Sequence, residues 1–172
     1  PDRVSAYLAE LVHSTMPVGP VVSEAQYNKI QDLIDAGIQE GADLVAGGPG
    51  KPDGDNQGYY VRPTIFGNVQ NDMRIAQEEI FGPVLVIIPY DTEADAIEIA
   101  NDSEYGLSGY VSGGTPERAS AVAVQLDTGA IHINQSGPDF MAPFGGVKKS
   151  GNGREWGVYG FEEYLEPRAL IR

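Results

Sequence analysis

Residues 84–90 read VLVIIPY, a continuous apolar run that ends in Pro and Tyr. Such a run predicts a β-strand that is buried on both faces. Two further strand patterns follow it, LSGYVSG at 107–113 and AIHIN at 130–134. Helical patterns separate the three strands. This alternation predicts an α/β fold with an open, mostly parallel sheet and helical crossovers.

The two crossover helices begin with recognisable capping residues. Thr92 and Asp95 are expected to cap the first of them. Thr115 is placed as the N-cap of the second helix, with Pro116 at the first helical position. Gly129 is expected to end that helix directly before the third strand.

The N-terminal part of the chain predicts two more helices. Apolar residues recur at helical spacing over 4–12, which indicates a first amphipathic helix. A second helix presents an apolar face between positions 27 and 38. Ser23 and Gln26 are expected to form a capping box at its start, and Gly41 to stop it.

Short strands are predicted elsewhere in the chain. ADLVAGG at 42–48 and YYVRPTIF at 59–66 have strand character, and Pro63 indicates an edge or a bulge in the second. A last strand is predicted near 164–171. It carries Pro167, which suits an edge strand or one that reaches a neighbouring chain.

Composition bounds the possible classes of protein. The chain has 172 residues, suiting one domain or a large piece of one, and 41% hydrophobic residues supply a core. A net charge of −14 argues against nucleic acid or an anionic membrane surface as partner. No apolar run approaches the ~18 residues of a membrane helix. Since the sequence does not begin with Met, we expect it to start mid-sequence or to be processed.

The chain contains no cysteine. Disulfides, cysteine-bound metals and thiol catalysis within this chain are therefore excluded. A cytoplasmic location is compatible with this composition and is our expectation. His13 and His132 share no motif with each other or with a nucleophile, so we assign both to structural roles and predict no metal site.

Two loops resemble ligand-binding motifs only in part. DGDNQG at 53–58 starts like a calcium loop, but its twelfth position is Thr64 where a glutamate is required, so a turn is favoured. GGVKKSGNG at 145–153 matches neither common phosphate-binding pattern. Close backbone packing is the favoured explanation for its glycines.

The residues before the first buried strand leave two interpretations open. Glu79 follows Glu78, and Phe81 comes directly after Ile80. A carboxylate beside an aromatic ring suits a sugar-bearing ligand, because it accepts two hydrogen bonds from a diol. Taken alone, these residues favour the other interpretation, a solvated glutamate pair with Phe81 anchored in the core.

The carboxyl end of the third strand is the other candidate binding position. Ligands of open parallel sheets bind at the carboxyl ends of the strands. That rule selects Asn134, Gln135 and Ser136, although an ordinary turn explains these residues equally well.

Several motifs in order along the chain resemble the aldehyde dehydrogenase superfamily. They are VGPVVSEAQYNKI (18–30), GYYVRPTIF (58–66), EEIFGPV (78–84), EYGLSGYV (104–111), GAIHIN (129–134) and PFGGVKKSGNGREWGVYGFEEY (143–164). The resemblance covers nearly the whole chain. It implies that residues 1–172 are a single partial domain, the C-terminal part of the catalytic domain.

The resemblance implies roles for three residues. Glu79 would bind the ribose hydroxyls on the nicotinamide side of NAD or NADP, and Phe81 would pack near that ribose and ring. Phe144 would line the aldehyde tunnel, and residues 136–143 would shape the choice of substrate. The last strand would make the complete enzyme a homo-oligomer.

The resemblance also implies chemistry that this chain does not supply. In the family a cysteine thiolate attacks the aldehyde, a hydride leaves for the nicotinamide, and water hydrolyses the thioester. Without a cysteine, we assign no catalytic residue here and expect the nucleophile, the general base and the main coenzyme-binding region upstream of residue 1. The isolated chain is expected to be inactive and to self-associate. The alternative is a stand-alone, non-catalytic binding or assembly module. A loop near Pro17 is shorter than the family's pattern.

Overall fold

The computed structural model describes Glu10, residues 18–54 and residues 57–172. The predicted first helix over 4–12 and His13 lie outside the described residues, except for Glu10. The chain divides into two compact units, residues 1–90 and residues 91–172, which are described separately below.

The first unit begins with helix α1, Glu24–Gln39. The Ser23 hydroxyl accepts a hydrogen bond from the backbone N–H of Gln26 at 3.2 Å, which satisfies one N-terminal donor. Gly41, with a φ of +93°, follows the last turn in the left-handed conformation that glycine favours. The predicted helix is confirmed. Its apolar face buries Ile30, Leu33 and Ile34.

Three strands form the sheet of this unit: β1 (Asp43–Ala46), β2 (Thr64–Gly67) and β3 (Val84–Val86). Their order is β1-β2-β3, with β1 antiparallel and β3 parallel to β2. The strand predicted over 59–66 starts only after Pro63, since proline has no N–H for the ladder. The strand predicted over 84–90 is shorter than expected. The prediction that this strand is buried on both faces is also wrong. Leu85 is 46% exposed, whereas Val84 and Val86 on the other face pack against the core.

A nine-residue core joins α1 to this sheet. It consists of Ile30, Leu33, Ile34, Ala42, Val61, Phe66, Val69, Ile75 and Ile80. A short helix, α2 (Arg74–Gln77), packs closely here, because a Cβ on Gly37 would lie 2.8 Å from the Ile75 side chain. The Glu40 carboxylate accepts a hydrogen bond from the Arg74 N–H at 2.8 Å and caps α2. The sequence did not predict α2, since four residues carry no helical periodicity.

The second unit contains a parallel strand pair joined by a helix. Strands β4 (Ser108–Val111) and β5 (Ala130–Ile133) are hydrogen-bonded in parallel, and α4 (Pro116–Ala123) connects them. Helix α3 (Glu93–Asn101) precedes β4 and has the predicted reciprocal capping box. Helix α4 ends at Ala123 rather than near Gly129 as predicted.

The α/β class with parallel strands and helical crossovers is confirmed. The pairing of the predicted strands differs in one respect: β3 lies in the first sheet beside β2, whereas β4 and β5 form the second sheet. The sequence could not show this, because β2 comes earlier in the chain than the alternating pattern and follows directly after a proline.

The C-terminal segment contains a 3₁₀ turn at Lys148–Ser150 and helix α5, Gly157–Glu162. Residues 165–172 form neither helix nor strand. The predicted last strand is therefore not formed by this chain on its own, and Ile171 is 94% exposed. A strand requires a partner to receive its backbone hydrogen bonds. The expected role of this segment in oligomerisation stays a prediction.

The described helices are short. The longest is α1 with 16 residues. Within the described part of the chain, no helix has both the length and the apolar character that crossing a bilayer requires.

Thr64 supplies a stability test for the first unit. It is 1% exposed, and its hydroxyl accepts from the Gly48 N–H at 3.1 Å and donates to the Arg62 carbonyl at 2.8 Å. Thr64→Val preserves the shape of the side chain but leaves the Gly48 N–H and the Arg62 carbonyl without this hydrogen-bond partner. We expect a loss of about 1–3 kcal/mol in the free energy of unfolding, measured with urea.

The matched control is Thr64→Ser, which keeps the hydroxyl and removes one methyl group. We expect it to lose less, about 1 kcal/mol. A serine variant as unstable as the valine variant would contradict the importance of the two hydrogen bonds.

Candidate functional site

The two neighbouring glutamates differ in their surroundings. Arg74 donates two hydrogen bonds to the Glu78 carboxylate, at 2.7 and 3.3 Å. These bonds lower the pKa of Glu78 below its ordinary value and raise the pKa of Arg74. The Glu79 side chain is exposed, and its carboxylate makes no hydrogen bond or ion pair with the described residues. Glu78 thus has a structural partner, whereas Glu79 presents its carboxylate outward.

Helix α1 holds the backbone next to Glu79. The Gln26 side-chain N–H groups donate to the carbonyls of Ile80 at 3.0 Å and Phe81 at 3.1 Å. The Lys29 ammonium donates to the Glu79 carbonyl at 2.8 Å. Gln26 and Lys29 lie three residues apart and therefore share one helix face. Three consecutive carbonyls are bound to this face.

This use of Gln26 corrects the predicted capping box. Only the Ser23 half of the box forms, because the Gln26 side chain bonds to residues 80 and 81 instead of returning to Ser23. A capping box and a distant hydrogen bond require the same side-chain amide. The sequence signal could not distinguish them.

The fixed backbone turns Phe81 outward. Its φ is +56°, a left-handed value that is unusual for a bulky residue, and its side chain is 70% exposed. Ile80, 8% exposed, occupies the core position instead, so the interpretation of Phe81 as a core anchor is wrong. Gly82 permits the tight approach, because a Cβ there would lie 2.5 Å from the Ile30 side chain.

In the second unit, Phe144 belongs to an aromatic cluster of Phe140, Phe144 and Trp156. The Phe144 and Trp156 rings are stacked, with centroids 4.8 Å apart and planes at 29°. Phe140 meets the Trp156 ring edge-on, also at 4.8 Å. Sequence reasoning missed Trp156, although it is the only tryptophan of the chain and lies inside a motif of the resemblance.

Backbone hydrogen bonds dock the glycine-rich segment that follows Phe144. The Gly106 carbonyl accepts from the N–H groups of Gly129 at 3.1 Å and Val147 at 2.9 Å, and the Ser150 hydroxyl accepts from the Gly106 N–H at 3.0 Å. A Cβ on Gly146 would lie 2.5 Å from the Ser150 Cβ. Close packing thus explains Gly146, and also Gly145, where a Cβ would collide with the Gly153 carbonyl oxygen. It is wrong for Gly151 and Gly153, where a Cβ would meet no atom of the described residues within 4 Å.

A cavity of about 600 Å³ opens beside the aromatic cluster. Phe144 and Trp156 line it, together with Tyr110 from β4, His132 from β5 and Ser136. His132 stacks on Tyr110 at 4.8 Å, and its Nδ1 lies 3.1 Å from the Ser136 carbonyl oxygen. These contacts agree with a structural role for His132. The walls are mainly aromatic and apolar, with a few polar groups.

The candidate residues at the carboxyl end of β5 form a tight turn. The Asn134 amide oxygen accepts from the Gly113 N–H at 2.8 Å, and the Ser136 hydroxyl accepts from the Ile133 N–H at 3.2 Å. Asn134 and Gln135 both have left-handed φ angles. The turn interpretation therefore explains Asn134 and Gln135, while Ser136 also faces the cavity.

Comparison with known proteins shows the family of the chain. The aldehyde dehydrogenase family model matches residues 7–170. The chain belongs to the aldehyde dehydrogenase family. This aldehyde dehydrogenase chain is 60% identical over 160 residues to the 3-succinoylsemialdehyde-pyridine dehydrogenase of a Pseudomonas species. That match covers 93% of the chain and 34% of the relative.

Solved structures of the family are also similar to this chain. A mutant of aldehyde dehydrogenase C from Pseudomonas syringae, in complex with NAD⁺ and octanal, is 49% identical with a TM-score of 0.93, over 96% of this chain and 36% of that one. An aldehyde dehydrogenase from Mycobacterium tuberculosis, in complex with NAD⁺, is 46% identical with a TM-score of 0.90, over 94% and 35%. The aldehyde dehydrogenase chain thus spans about a third of the length of these relatives.

The hold of α1 on residues 79–81 is testable by limited proteolysis. Gln26→Glu removes both N–H donors at nearly constant size and sets a carboxylate against two carbonyl oxygens. Chymotrypsin cleaves after exposed aromatic residues such as Phe81, and cleavage requires the segment to open locally. We expect cleavage after Phe81 to accelerate about tenfold, the equivalent of about 1.4 kcal/mol. Gln39→Glu, at an exposed position on the same helix, serves as control. Equal cleavage rates in the two variants would show that Gln26 does not hold the segment.

Proposed function

We propose that residues 1–172 form the C-terminal part of one catalytic domain of an NAD(P)-dependent aldehyde dehydrogenase that oxidises an aldehyde to a carboxylic acid. The observation that carries this proposal is the segment 79–81, whose three carbonyls are bound to α1 while the Glu79 carboxylate and the Phe81 ring face outward. Two similar solved structures, both of the same family, contain NAD⁺.

Glu79 and Phe81 fit the nicotinamide half of the coenzyme. A carboxylate can accept a hydrogen bond from each of two vicinal ribose hydroxyls, and charge-assisted bonds of this kind are stronger than neutral ones. Phe81 offers an exposed ring on the same fixed backbone. The coenzyme itself would supply the acceptor for the hydride of the aldehyde. The protein's part here is to orient the ribose.

Phe144, in the second unit, fits a role in binding the aldehyde. Its ring lines a cavity with mainly apolar walls, and residues 136–139, 142 and 143 border it. One relative is named for a pyridine semialdehyde, and one similar structure contains octanal. We infer that the substrate of this enzyme carries an apolar or aromatic group next to its aldehyde.

The exposed C-terminal segment supports an assembly role. Leu170 and Ile171 are 82% and 94% exposed, and residues 165–172 lie outside any strand of this chain. Adding this segment to a sheet of a second copy would satisfy its backbone groups and cover the apolar side chains. We propose that the complete enzyme is a homo-oligomer through this segment. The same feature favours the alternative, a non-catalytic assembly module.

The coenzyme role of Glu79 predicts a selective kinetic defect. In the complete enzyme that carries this chain, Glu79→Gln removes the charge from the proposed bonds to the ribose hydroxyls. Bonds to a charged group contribute about 1.5–3 kcal/mol each, so we expect the KM for NAD to rise at least tenfold.

Glu78→Gln is the matched control for this measurement. It breaks only an exposed ion pair, which contributes about 0–1 kcal/mol, so the KM for NAD should stay within about threefold of the original. Equal effects of the two substitutions would contradict the assignment of Glu79.

The purified 172-residue chain should show no turnover. It contains no cysteine, so no thiolate within it can attack the aldehyde. The measurement is NADH formation from NAD and an aliphatic aldehyde, with the complete enzyme as positive control. NADH formation by the chain alone would refute the proposal that the nucleophile lies outside it.

A further inference from the structure

We propose that Trp156 is a specificity-determining residue for the aldehyde. It positions the Phe144 ring and supplies a second aromatic face to the cavity, so that a substrate with a flat ring is favoured over a small aliphatic one. The nature of the substrate as an aldehyde rests on the proposed function. The binding of a flat ring beside Trp156 does not.

Backbone hydrogen bonds hold Trp156 on both sides. Before it, Glu155 and Phe144 exchange two N–H···O bonds, at 2.6 and 2.7 Å. After it, the Gly157 N–H donates to the Phe140 carbonyl at 3.2 Å. A side chain at Gly157 would collide with the Met141 carbonyl. The backbone on both sides of Trp156 is therefore bound to the two ends of the segment 140–144.

The backbone conformation of Trp156 is itself unusual. Its φ is +64°, and it stands directly before α5 as the N-cap without a side-chain capping bond. Left-handed conformations of bulky residues are strained and persist only where the surroundings impose them. A small polar residue or glycine would cap the helix with less strain. A large aromatic residue at this position points to a role for the ring rather than for the cap.

The indole ring of Trp156 contacts two other aromatic rings beside the cavity. Phe144 stacks on one face of the indole, and Phe140 meets it edge-on. The side chain keeps 36% of its surface exposed, which is more than a core residue would keep. Both Phe144 and Trp156 line the cavity of about 600 Å³. Trp156 thus limits the movement of the Phe144 ring and offers its own surface to a bound group.

The shape of this wall favours one class of ligand. Aromatic rings pack on each other in offset-stacked or edge-on arrangements. A cavity of this volume lies in the range of small-molecule sites. A three-carbon aldehyde would leave the aromatic wall largely uncovered, whereas a benzene ring could pack against it.

The decisive measurement is a ratio of specificities in the complete enzyme. We expect Trp156→Leu to lower the ratio of kcat/KM for benzaldehyde to that for propanal about tenfold, with the KM for NAD unchanged. Trp156→Phe retains an aromatic ring and should keep the ratio within about threefold. Phe161→Leu, which alters a 63% exposed ring on the same helix, should leave the ratio unchanged.

A purely structural role would give a different pattern. If Trp156 only supported the start of α5, the leucine variant would lose activity equally toward both aldehydes, and the ratio would stay constant. A constant ratio would overturn the proposal. A parallel fall in the ratio for Phe161→Leu would also overturn it.

Ligand binding to the 172-residue chain separates this proposal from the proposed function. Trp156 is the only tryptophan, so its fluorescence reports on the cavity directly. Benzyl alcohol, which has the ring of an aromatic aldehyde without the reactive carbonyl, should change the fluorescence saturably, and 1-propanol should not. If the complete protein oxidised no aldehyde, the proposed function would fail and this titration would decide the role of Trp156. Identical responses to both alcohols would then refute it.

Discussion

The hydrogen bonds from one face of α1 to three consecutive carbonyls are the constraint on which the candidate coenzyme site depends. Gln26 and Lys29 bind the backbone of residues 79–81. Carbonyl groups at a chain bend lack ladder partners, and unsatisfied carbonyls are costly when shielded from water. By satisfying them, α1 stabilises a left-handed Phe81 that would otherwise relax. The presentation of Glu79 and Phe81 then follows from the backbone alone.

Packing against the core also stabilises the backbone of residues 79–82. Ile80 enters the core, and Gly82 allows the chain to pass close to Ile30. Residues on either side of Phe81 are thus held inward while its ring faces outward. The two carboxylates also differ in their partners. Arg74 donates hydrogen bonds to Glu78, whereas the carboxylate oxygens of Glu79 stay available to accept hydrogen bonds from another partner. The two adjacent glutamates therefore have different surroundings.

In the second unit, backbone hydrogen bonds and aromatic contacts hold the segment that carries Phe144. The glycine-rich segment docks on Gly106 through main-chain hydrogen bonds that side chains would obstruct. This docking sets the position of Phe144, and Trp156 packs on its ring. Rigid attachment of a binding wall reduces the ordering that a ligand must impose. Both units thus place a candidate site residue on a backbone that is held by residues distant in sequence.

Sequence alone determined the α/β class, the main helices with their N-cap residues, and the family. The reason is that capping residues, apolar periodicity and ordered motifs are local signals. It also selected Glu79, Phe81 and Phe144 through the resemblance, and their roles stay predictions. Only the tertiary structure decided that β3 pairs with β2, that Gln26 binds residues 80 and 81, and that Trp156 joins the wall beside Phe144. Each of these depends on contacts between residues far apart in the chain, where one side chain has several possible partners and only the folded geometry selects among them.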